Sequence, residues 1–159
     1  MTSAEPTPTT TSRPQSPDDA ALADAIAAEH ATIYGYGFVS AHSTAEMNEL
    51  VSDSLSEHRA RREAAIAMLA ARSVTAPTAA VGYQLPITVS NATDAATLAV
   101  RMESDDAEAW RAVIEHATTS QDRTFAVTAL TQCAVRAANW RHVLRAWPLT
   151  VPFPGGNEQ

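Results

Sequence analysis

Apolar positions in residues 21–39 recur at steps of three and four: Leu22, Ala25 and Ile26, Ile33, Tyr36, then Ser40. That is the spacing of one helix face. Glu29 falls on the same stripe, and a carboxylate among apolar neighbours must be paired, protonated or bound to something. The pattern predicts a first helix over about residues 17–42, with Asp18 and Asp19 favouring its first turn through the helix dipole. Gly35 and Gly37 weaken this helix and allow a neighbouring helix to come close.

Ser43-Thr44-Ala45-Glu46 has capping-box spacing and predicts a second helix after a very short turn, running to about Arg72. A short turn makes the two helices antiparallel. The second stripe reads Met47, Val51, Leu55, His58, Arg62, Ala65 and Ile66, Leu69, again with polar residues in its middle. Helical period is lost over residues 73–93, where Pro77, Gly82 and Pro86 punctuate the chain. Such a long loop is explained by a crossover along a helix roughly 38 Å long, with Tyr83 and Leu85 packed on the outside of the bundle.

Several N-caps in residues 90–94 open a third helix, expected to reach about Thr118. Its stripe is Ala96 and Ala99, Glu103, Asp106, Trp110, Val113 and Ala117, and Glu103 and Asp106, three apart, share a face. Ser120-Gln121-Asp122 opens a fourth helix that must end before Pro148. Its stripe, Ala126, Leu130, Cys133, Ala137, Trp140, Leu144 and Trp147, carries no carboxylate and no histidine.

Four helices, two short turns and one long crossover between helices 2 and 3 predict an all-α, ferritin-like, up-down-down-up four-helix bundle over residues 18–148. Residues 1–17, rich in Thr, Ser and Pro, read as a disordered tail, and residues 149–159 as an irregular one. Counting from the turns brings Glu29, His58, Arg62, Glu103 and Asp106 to one height as a polar layer.

Composition narrows the function. Eleven arginines and no lysine stand against 18 acidic residues, and a net charge of −7 argues against nucleic acid or an anionic membrane as partner. One cysteine, Cys133, excludes an internal disulfide, and no apolar run approaches a membrane span. Cytoplasm is the default expectation. Cys133 itself reads as a small core residue. Arg59, Arg61, Arg62 and Arg72 make helix 2 basic, and most of that charge reads as a solvated face paired with Asp53, Glu57 and Glu63. His30 points about 100° away from Glu29.

Glu29-His30 with Tyr34-Gly35-Tyr36-Gly37, His58-Arg59 with Arg61-Arg62, then Glu103 and finally Trp140-Arg141 form an ordered set. On these residues the chain resembles a ferritin-like domain of unknown function found in actinobacterial proteins, over about residues 19–147. The resemblance implies the fold and no activity. Di-iron ferritin-like proteins, wider relatives, supply a Glu from each of two helices and a Glu-x-x-His from each of the other two. Glu29, Glu103 and His58 fit that pattern; Leu55, Leu130, Cys133 and Ala137 stand where other ligands should be.

Two readings of the layer follow. In the first, Arg62 pairs with Glu29 and Glu103, His58 is a hydrogen-bonded companion, no cofactor is bound, and the protein has a structural or interaction role without catalysis. In the second, Glu29, His58 and Glu103, with Asp106 as a further ligand, hold Fe, Mn or Zn in a metal-binding protein or oxidoreductase. Self-association as a homodimer is expected from the behaviour of such bundles, through a tryptophan or through the two glycines with Tyr34 and Tyr36.

Overall fold

The computed structural model describes residues 12–156, so most of the N-terminal tail and the last three residues lie outside it. Four α-helices make up the described chain: α1 (Pro17–His42), α2 (Asn48–Ala71), α3 (Ala92–His116) and α4 (Ser120–Val143). Pro17 sits at the first position of α1, where its missing N–H is no loss. Asn91 caps α3 by accepting from the Asp94 amide at 2.9 Å, and Thr119 caps α4 through the Asp122 amide at 3.1 Å.

The turn between α1 and α2 differs from the expected capping box. Ser43 donates its hydroxyl to the Val39 carbonyl at 2.7 Å and so closes α1. Ala45–Met47 then form a single 3₁₀ turn before α2 begins.

Side-chain pairs fix the helix directions. Asp19 meets Arg72 and Glu29 meets His58, so α1 and α2 run antiparallel. Asp18 meets Thr118, Glu29 meets Trp110 and Tyr36 meets Glu103, so α1 and α3 are antiparallel too. The segment from α2 to α3 therefore crosses the length of the bundle. Tyr83 packs on Tyr34, ring centroids 5.4 Å apart, and Leu85 packs against the core beside Met102. Gly35 is needed for this fit, since a Cβ there would stand 2.2 Å from the Met102 sulfur. Gly37 faces open space and has no such role.

The core is two apolar clusters with a polar layer between them. One holds Leu22, Ile26, Leu69, Trp110, Val113 and Cys133; the other holds Tyr36, Val39, Val51, Leu98, Met102 and Trp140. Tyr36 is fully buried and so is no interface residue, while Trp147, placed on the α4 stripe by its spacing, is 78% exposed beyond the helix end. The tail after α4 returns to α3, where Arg111 Nη1 donates to the Gly155 carbonyl at 3.3 Å. No helix among the described residues is long and apolar enough to cross a membrane.

Candidate functional site

The polar layer is centred on His58, whose ring is completely buried and touches carboxylates on both sides. Nδ1 lies 2.7 Å from Glu29 Oε2 and 3.3 Å from Asp106 Oδ2. Nε2 lies 3.1 Å from Glu103 Oε1. The structure thus brings Glu29, His58, Glu103 and Asp106 together from α1, α2 and α3, with all four side chains out of water.

Arg62 is the exception. Its guanidinium turns outward and pairs with the neighbouring Glu63 at 2.6 Å. Arg61 takes the inner place: Nη1 lies 3.3 Å from Glu29 Oε1 and donates to Cys133 Sγ at 2.7 Å. The buried line of α2 is Val51, Ser54, His58, Arg61, Ala65 and Leu69, whereas the expected stripe ran through Leu55 and Arg62. Both lines pass through His58, because positions three and four away share its face. Packing against α1 and α4 selects one of them. Asp53 and Glu57, assigned above to arginines of α2, pair instead with Arg136 of α4, at 3.9 and 2.8 Å. Arg72 joins Asp19 and Asp122 at the bundle end. His30 turns to the crossover, its Nε2 3.1 Å from the Pro77 carbonyl.

Two aromatic donors placed on the stripes as core residues, Trp110 and Tyr36, hold carboxylates, and a third, Trp140, holds Tyr36. Trp110 Nε1 donates to Glu29 Oε1 at 2.7 Å. Tyr36 donates its hydroxyl to Glu103 Oε1 and accepts from Trp140 Nε1 at 2.9 Å. Each apolar cluster thus sends one indole N–H toward the layer. The signal was present in the sequence, since a buried Tyr or Trp needs a partner for its polar tip.

Several atoms in the layer remain without a hydrogen-bond partner: Glu103 Oε2, Asp106 Oδ2, and Nε and Nη2 of Arg61. Asp106 Oδ2 stands 3.3 Å from His58 Nδ1 without forming a hydrogen bond to it. Burial works against a charged His58, but contacts with Asp106, Glu103 and Glu29 outweigh it and hold its pKa well above the ordinary histidine value. Burial, reinforced by the Glu29 charge and opposed by His58, pushes Asp106 up to about 7. Burial and the Glu103 charge push Tyr36 up, so it stays a phenol and a donor. Burial likewise keeps Cys133 a thiol despite Arg61.

One ligand atom from each of Glu29, His58 and Asp106 converges closely enough for this buried group to hold a metal ion. Donors bound to one cation at about 2.1 Å stand roughly 3.0–3.4 Å apart in octahedral or tetrahedral arrangements. The observed 2.7 and 3.3 Å edges at Nδ1 are close to that spacing. Glu103 lies on the other ring nitrogen, and so is placed to orient the imidazole rather than to share the same ion.

Comparison with known proteins adds a family of unknown function. A crystal structure of a conserved hypothetical protein from Mycobacterium tuberculosis is similar to this chain, with 63% identity and a TM-score of 0.80. The match covers 82% of this chain and 98% of that one. No curated protein matches the chain. Residues 21–158 match the family described as Domain of unknown function (DUF4439), and the chain belongs to that family.

Proposed function

We propose that this chain is a ferritin-like bundle that holds one divalent cation at Glu29, His58 and Asp106, as a metal-binding protein without redox catalysis. The order of helix pairing and the crossover support the ferritin-like reading. The observation that carries the metal reading is the division of labour on His58. Nδ1 faces two carboxylates, while Nε2 faces a third that would fix its tautomer, the usual outer partner of a metal-bound histidine. Two carboxylates and one imidazole suit Fe or Mn, or Zn at lower coordination. The buried line of α4 beside the layer, Ala129, Cys133 and Ala137, adds no carboxylate or imidazole for a second ion.

Charge supports the same reading. Three buried carboxylates face one fixed cation, Arg61, which leaves the layer two positive charges short. A divalent ion at neutral His58 supplies them. The second reading fills the gap with two protons, one on His58 and one on Asp106, and makes the layer an ion network that fixes helix register. Arg61 beside Glu29 is the observation in its favour.

Elemental mass spectrometry on untagged protein, before and after incubation with Fe(II), Mn(II) and Zn(II), separates the two. Near-stoichiometric metal that is lost in His58→Ala and Asp106→Asn supports the site. Folded protein that takes up no ion leaves the proton-filled network. A homodimer, if formed, would use the exposed Tyr34 and Phe38, whose rings lie 5.5 Å apart, and light scattering after size exclusion tests it.

A further inference from the structure

An ion held by donors that are all out of water needs a way in. Of the surface hollows that touch the polar layer, one lies between α3 and α4 and meets Glu103. Glu103 faces Nε2, so the imidazole ring stands between that hollow and the Nδ1 side where the ligands converge. Another lies between α2 and α4 and meets Arg61, whose fixed charge repels a cation. A third, of about 540 Å³, meets Asp106, itself one of the three proposed ligands.

This third hollow has α1 from Ala28 to Thr32 on one side and α3 from Met102 to Asp106 on the other, with residues 83–86 of the crossover closing it. Thr32, Met102 and Asp106 are buried, and Asp106 keeps only 1% of its surface open. The ligand therefore borders the hollow yet is shut off from it in the resting fold. Side chains make the closure: Tyr83 lies on Tyr34, and Leu85 packs beside Met102. Among the described residues no backbone–backbone hydrogen bond ties residues 75–89 to a helix. A segment held by a few side chains and no backbone bonds opens at low free energy. Met102 stands one turn before Asp106 on α3, so lifting Leu85 frees the side chain next to the ligand.

We propose that the crossover is a gate, in which residues 83–86 lift from α1 and α3 and a divalent ion enters through this hollow, meeting Asp106 first and then Glu29 and His58. The inference rests on the metal reading and adds the route to it. Loading and release cross the same barrier. A residue on the path but outside the ligand set therefore changes both rates by one factor and leaves the equilibrium affinity alone.

Stopped-flow loading tests it, with whichever of Fe(II), Mn(II) or Zn(II) fills the full chain to stoichiometry, together with release into excess chromophoric chelator. Ala28→Trp, at a half-buried wall position, narrows the hollow and should slow both rates at least about tenfold with affinity kept within about twofold. Leu85→Ala loosens the closure and should speed both at least about threefold at the same affinity. Ala64→Trp, in the hollow beside Arg61, is the control and should change neither. If Ala28→Trp does not fold, Leu85→Ala decides alone. Rates unchanged by Ala28→Trp and Leu85→Ala, or slowed instead by Ala64→Trp, overturn the gate and leave the metal reading standing. A chain that takes up no ion overturns both.

Discussion

His58 Nε2 stands 3.1 Å from Glu103 Oε1, on the side of the imidazole opposite the one that meets Glu29 and Asp106. Glu103 is therefore a positioning residue for His58. Glu103→Gln keeps the shape and removes the charge, and metal affinity should fall by about 10- to 100-fold with the fold retained. Competition with a fluorescent chelator measures it. Unchanged affinity would remove Glu103 from the site.

Adjacent arginines of α2 should behave oppositely. Arg61→Ala strips a buried partner from Glu29 and should cost about 3–5 kcal/mol in urea denaturation. Arg62→Ala touches only an exposed pair and should stay within about 0.5 kcal/mol of the parent protein.

Tyr36→Phe leaves the ring and takes away one donor to Glu103 and one acceptor for Trp140. An expected loss of about 1–3 kcal/mol, read by the same denaturation, reflects the unmet buried groups. A neutral result would mean that the hydroxyl has no part in holding the layer.

The metal-free protein should lose stability as pH rises. Asp106 titrates near 3.8 when unfolded and about 7 when folded, so between those values the folded state holds the extra proton and stability falls with pH. His58, raised above its ordinary 6.5, adds stability that is fully present below that pH and is lost as pH climbs through the folded value. Chemical denaturation in chelator should give a lower unfolding free energy at pH 8 than at pH 5. Asp106→Asn should flatten the slope below pH 7. A rising profile would contradict both assignments.

The two glycines of α1 offer a packing test. Gly37→Ala meets open space and should stabilise by roughly 0.5–1 kcal/mol. Gly35→Ala forces Met102 aside and should be worse than Gly37→Ala by about 1–3 kcal/mol in thermal or urea unfolding.

Helix existence and length followed from periodicity, caps and breakers: α1 spans Pro17–His42 and α3 has Asn91 as its cap, because these signals are local. The shared height of Glu29, His58, Glu103 and Asp106 was also legible, since helix rise is constant and the turns set the register. The rotation of α2 was not. Leu55 and Arg62 suit a face through His58 as well as Ser54 and Arg61 do, and only contact with α1 and α4 selects the second pair. Nor could spacing assign one ring nitrogen of His58 to Glu29 and Asp106 and the other to Glu103. Stripes report which residues face inward, while the partner of each inward atom depends on how four separate helices turn against one another.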